Sequence, residues 1–143
     1  SGKSQLFDIQ RGDSTKSWAA NERWNQKTQG YMSSPVVVDD HVYLHLKNER
    51  FSCLSVDDGS IQWTSAPVGK YWSMIRNKNR ILSLSADGKL RLIEANPDEF
   101  KVLDTQQLAE DSWAHLAVSS EADQPLILIR ALNSLTAYQW KNP

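Results

Sequence analysis

Tyr-Met-Ser at 31–33, Tyr-Trp-Ser at 71–73 and Ser-Trp-Ala at 112–114 each open an apolar stretch, so the chain repeats itself at an interval near 40 residues. The stretch VVVDDHVYLHL (36–46) answers to IRNKNRILSLS (75–85), and FSCLSV (51–56) answers to LRLIEA (90–95) and LTAYQW (135–140). Trp24 and Trp63 lie 39 residues apart, and one more step of that size reaches Val102 and Leu103. A repeat of this length restricts the chain to architectures in which one supersecondary unit is copied and stacked, because a unit of ~40 residues cannot bury its apolar faces alone.

Inside a unit the pattern has the period of strands. In HVYLHL, Val42, Leu44 and Leu46 fall on one face and His41, Tyr43 and His45 on the other, which is the alternation of an extended chain. Turn formers separate the stretches: Asp39-Asp40, Asp57-Asp58-Gly59, Asn77 to Asn79, Asp87-Gly88 and Asn96-Pro97. They supply side-chain hydrogen bonds to the local backbone, or positive φ, where the chain reverses. Four short strands per unit predict an all-β chain of about three antiparallel β-propeller blades. The 143 residues read as one segment: outer strands of a preceding or closing blade over 5–29, a blade over 30–66, a second over 70–106 and an incomplete third over 111–141. The third has no residues for an outer strand before Pro143, and the strand carrying Trp24 has the phase to supply one.

The segment CLSVDDGSIQWTS (53–65) resembles the recurring segment of quinoprotein-type propellers, the PQQ-like repeats, which are also WD40-like in having four strands per blade. The resemblance covers residues 30 to 140 and is to the carboxy-terminal blades of a larger repeat protein. It implies that Gly59 permits a tight turn and that Trp63 and Trp24 dock one blade on the next. The second unit departs from the pattern, with NPDEF where the glycine turn should stand and Phe100 nearby. Within the family, quinoprotein dehydrogenases hold a quinone and a calcium ion inside seven or eight blades and commonly carry a disulfide of adjacent cysteines. The single Cys53 excludes that disulfide, and no acid here matches the calcium or base positions. The non-catalytic branch, a protein-binding scaffold of bacterial outer-membrane assembly, is the better analogy. It implies no enzyme activity, no cofactor, no metal, a protein partner and an extracytoplasmic location. The alternative is a fragment of a PQQ-dependent quinoprotein oxidoreductase.

Composition narrows the partners. Sixteen Lys and Arg against seventeen Asp and Glu leave a net charge of -1 with no basic block, which disfavours nucleic acid. Apolar runs such as PVVV and PLILI fall far short of the ~20 residues of a membrane-spanning helix. His41 and His45 share a strand face but stand roughly 13 Å apart at the rise of a strand, too far to bind one metal, and read as solvent or blade-interface histidines. The paired aspartates are explained by turns. Gly-Lys-Ser at 2–4 lacks the glycine loop of a phosphate site, and Arg-Gly-Asp at 11–13 reads as a chance tripeptide in a polar connection.

The repeat phase places the starts of the inner strands around the propeller axis at one end. Tyr31, Ser33, Tyr71, Trp72, Ser73, Trp113 and His115 gather there as candidate ligand or partner contacts, since binding sites combine apolar walls with a few placed polar groups. Packing between blades is the competing role for Trp72 and Trp113. Three blades cannot close around an axis, and the open blade faces predict an interaction surface. Two arrangements cover them: a homodimer closing a six-bladed ring, or further blades of a longer parent chain.

Overall fold

The computed structural model describes residues 3–12, 17–119 and 125–141, which contain thirteen strands and no helix. β1 (Ser4–Arg11) and β2 (Trp18–Gln26) pair as a two-stranded antiparallel sheet. β3 (Val36–Val38), β4 (His41–His45), β5 (Arg50–Ser55) and β6 (Ile61–Pro67) form a four-stranded sheet in sequence order. β7 (Ser73–Asn77), β8 (Arg80–Leu84), β9 (Lys89–Glu94) and β10 (Lys101–Gln107) form a second, and β11 (Ala117–Val118), β12 (Leu126–Arg130) and β13 (Leu135–Gln139) a three-stranded third. Within each sheet, strands adjacent in the chain pair antiparallel, which is the meander of a propeller blade. The tripeptides at 2–4 and 11–13 lie partly outside the described residues.

The backbone repeats more faithfully than the side chains do. Left-handed φ occurs at Met32 and Tyr71, at Asp39 and Lys78, and at Glu49 and Gly88, each pair 39 residues apart. The Val56 N–H donates to the Asp40 carbonyl at 2.8 Å, and one repeat later the Ala95 N–H donates to the Asn79 carbonyl at 2.9 Å. Residues as unlike as Asp39 and Lys78 thus turn the same hairpin, because the flanking strand ladders specify the reversal.

The core lies between blades. Val38, Tyr43, Phe51 and Cys53 of the first full blade pack against Trp72, Met74, Ile81 and Ile93 of the second. Leu84 and Leu90 then pack against Leu116, Ile127 and Ile129 of the third. Leu44, Leu46 and Leu54 form a separate cluster on the other face of the first blade. Both faces of β4 are therefore covered, and His45 is buried together with Tyr43 and Leu44.

Two tryptophans fasten successive sheets in the same way. Trp24 on β2 donates its indole N–H to the Val56 carbonyl at 2.7 Å and lies so close over Gly59 that an added Cβ would come within 2.6 Å of the ring. Trp63 on β6 donates to the Asn96 carbonyl at 3.0 Å. Its ring meets Phe100 at a centroid distance of 5.8 Å and Phe51 at 5.7 Å. The turn without glycine is closed by the Asp98 N–H donating to Asn96 Oδ1 at 2.8 Å, as the Ser60 N–H donates to Asp58 Oδ1 at 2.9 Å in the unit before. At the next joint, the Tyr138 hydroxyl donates to the Leu108 carbonyl at 2.6 Å.

Candidate interaction site at the inner-strand ends

Three of the seven residues assigned to this end come together as a chain of rings. Tyr31 and Tyr71 have centroids 5.7 Å apart at 34°, and Tyr71 and Trp113 have centroids 4.6 Å apart at 38°. These tilted contacts are favourable ring geometries, and they link the segments leading into all three inner strands. Trp113 keeps 62% of its surface exposed and Tyr31 37%. His115, two residues past Trp113, is also exposed.

The other assigned residues point into the joints. Trp72 is fully buried; its ring stacks on His45 at 5.2 Å and 18°, contacts Phe51 at 5.1 Å, and lies 5.2 Å from the Arg91 guanidinium carbon. Arg91 is held by donating to Ser85 Oγ at 2.8 Å. Ser73 Oγ accepts the Leu116 N–H at 3.0 Å and so ties the second blade to the third. Ser33 Oγ is buried with no hydrogen-bond partner.

Tyr31 and Tyr71 also line a cavity of about 230 Å³, together with His45, Leu46, Lys47, Glu49 and Lys70. Lys70 Nζ stands 3.5 Å from Glu49 Oε1. His45 is 1% exposed, and its Nε2 lies 2.7 Å from the Gly69 carbonyl oxygen. A carbonyl only accepts, so Nε2 carries the proton and Nδ1 is left as an acceptor. Nδ1 is buried and has no partner. The repeat phase alone did not bring these polar residues to the site. His45 sits at a strand end, Lys47 and Glu49 in the hairpin that follows, and Lys70 just before the next inner strand, so they meet only once two blades are docked.

Burial holds the His45 pKa below its ordinary value; the Gly69 carbonyl and Glu49 offset part of this, and Arg91 adds to it. A histidine with a depressed folded-state pKa contributes stability that is complete above the unfolded value of about 6.5 and is lost as the pH falls from there through the folded value. Between the two values the loss approaches about 1.4 kcal/mol per pH unit. Urea midpoints should therefore drop between pH 7.5 and pH 5.5, and a His45→Gln variant should lose that part of the slope. Equal slopes in the two proteins would show that another group governs acid stability.

The fold has counterparts among known proteins. The sequence of the family described as outer membrane protein assembly factor BamB matches residues 1–65. The crystal structure of BamB from Moraxella catarrhalis superposes with a TM-score of 0.63 over 94% of this chain at 13% identity. The chain spans 46% of that BamB structure. A europium-containing methanol dehydrogenase superposes with a TM-score of 0.54 over 73% of this chain and 22% of its own, at 18% identity. No curated protein matches the chain. The chain thus has the fold of β-propeller blades, and its first 65 residues match the model of the family described as outer membrane protein assembly factor BamB.

Proposed function

We propose that this chain is a non-enzymatic propeller scaffold that binds a protein partner through the inner-strand end carrying Tyr31, Tyr71 and Trp113. The observation that supports the reading most is the continuous ring contact across three blades, with Trp113 left 62% exposed at its end. Exposed aromatic anchors on a rigid base are what protein-binding hot spots are made of. The sequence match to an assembly factor of outer membrane proteins supports the same reading, and with it a place outside the bacterial cytoplasm. A photo-cross-linking amino acid at position 113 should yield a discrete protein adduct that disappears in the Tyr71→Ala background. The same probe at Thr105, exposed on the outer strand β10, should yield none. Equal labelling from both positions would overturn the proposal.

The exposed Phe7, Ile9 and Trp18 around β1 and β2, and Leu132, Leu135 and Trp140 beside β13, are seats for further blades in this reading. A mass near twice 16.2 kDa at all concentrations would assign them to a second copy. A concentration-independent monomer would remove the dimeric ring. The second reading, part of a quinoprotein oxidoreductase, has the fold likeness to the methanol dehydrogenase behind it. Quinone absorbance and dye-linked alcohol oxidation on adding quinone with a metal ion would carry it.

A further inference from the structure

Open sheet edges invite pairing with another chain, and folded proteins blunt them with charge, proline, irregular register or shortness. Every edge strand among the described residues but one is blunted in this way. β1 carries Asp8 and Arg11, β2 Glu22 and Arg23, β7 Arg76, and β10 Lys101 and Asp104. β6 ends in Pro67, and its ladder to β5 shifts register twice. β3 and β11 are only three and two residues long. β13, Leu-Thr-Ala-Tyr-Gln, has five residues, no charge and no proline, and its ladder to β12 runs without a shift. Leu135 on it is 73% exposed, and Trp140 just past it 40%.

The hydrogen bonds show which groups this edge presents. The Ser134 carbonyl accepts the Ala131 N–H, and the Trp140 N–H donates to the Pro125 carbonyl, both at 2.9 Å. Residues in that phase turn their main chain toward β12, so the alternate residues Leu135 and Ala137 turn theirs outward, as an antiparallel ladder requires. Laid antiparallel on a second copy about Ala137, the strand complements itself. Ala137 then donates to and accepts from its own counterpart, Thr136 falls opposite Tyr138, and the flanking Lys141 falls opposite Asn133. No like charges meet. β10 laid on itself about its middle residue would set Asp104 against Asp104, which is destabilising.

We propose that two copies of this chain associate edge to edge through β13, antiparallel about a two-fold axis at Ala137, so that their three-stranded sheets become one. Blades stack through their faces, whereas this contact uses a strand edge, so it is distinct from a dimeric ring. It is also independent of the end carrying Tyr31, Tyr71 and Trp113. The shared ladder is five residues long, so the association is weak and grows with concentration.

The test is sedimentation of the intact chain over a concentration series, with mass rising from 16.2 kDa toward twice that value. Ala137 is exposed, and Ala137→Lys or Ala137→Glu sets like charges opposite each other at the axis. Each variant alone should remain monomeric where the parent pairs, and an equimolar mixture of the two should associate at least tenfold more tightly than either. Ala137→Cys should oxidise to a covalent dimer, because opposite Cα atoms in such a ladder stand about 5.5 Å apart, within disulfide reach. Leu135→Cys should not, since its two copies lie on either side of the axis. Cys53 is 0% exposed and gives no background. A monomer at every concentration overturns the proposal. So does a dimer that both charge variants leave intact, which assigns the contact to blade faces, or equal cross-linking from positions 135 and 137. None of these outcomes changes the adduct expected at position 113.

Discussion

Trp72→Ala is expected to destabilise the chain by about 3–5 kcal/mol, the range for removing a large buried aromatic. Trp72 is fully buried and is touched from three directions by His45, Phe51 and Arg91. It belongs to the cluster that joins the first two full blades. Its indole N–H has no hydrogen-bond partner, so the loss is one of packing alone. Trp72→Phe keeps most of the ring contact, removes that unsatisfied donor, and should therefore cost far less. The comparison is made by urea unfolding of the three proteins at one pH. Against a typical stability of about 5–15 kcal/mol, the alanine variant should lose a large share of its cooperative transition. A loss below about 1 kcal/mol would mean that the joint closes without this side chain.

Gly88→Ala should be nearly as damaging, for a different reason. Gly88 has φ 73°, and left-handed backbone carries about 1–2 kcal/mol for a residue with a Cβ. The space is also filled: the new Cβ would stand 2.0 Å from the Ala109 carbonyl oxygen and 2.4 Å from its carbon. These are backbone atoms, and they cannot step aside as a side chain does. The Gly88 carbonyl accepts the N–H groups of Leu108 at 3.0 Å and Ala109 at 3.3 Å, so the displacement that relieves the clash also strains those bonds. The total should exceed the backbone penalty alone. Thermal unfolding gives the magnitude, and amide exchange at Leu108 and Ala109 should quicken locally. One repeat earlier, Glu49 holds φ 64° with a full side chain. A cost for Gly88→Ala of only about 1–2 kcal/mol would mean that the approach of Ala109 relaxes freely.

The strand ladders were legible because alternation and turn chemistry are local. HVYLHL, RILSLS and PLILIR each contain a strand, and the meander follows from the order of the stretches. Register was less so. The register shifts at Leu6/Phe7, Arg50/Ser52, Cys53/Leu54 and Val102/Asp104 leave no mark in composition, since any residue can occupy them. Asn96 shows why the second joint looked like a departure: the lock uses its main-chain carbonyl, which every residue has, so the missing glycine motif concealed a preserved contact. Of the candidate site, the ring chain of Tyr31, Tyr71 and Trp113 followed from repeat phase. His45 was legible only as a solvent or blade-interface histidine, because its stacking partner Trp72 comes from the next blade.

Each tryptophan lock reaches forward by nearly one period, from Trp24 to Val56 and from Trp63 to Asn96. Donor and acceptor therefore always sit in adjoining units and never within one. Unequal recombination between two copies in the same phase would add or delete a whole link, and every remaining indole would still find a carbonyl waiting. The hydrogen-bonded part of such a joint is thus indifferent to which copy stands next, whereas the packing of Trp63 on Phe51 and Phe100 is particular to its own joint.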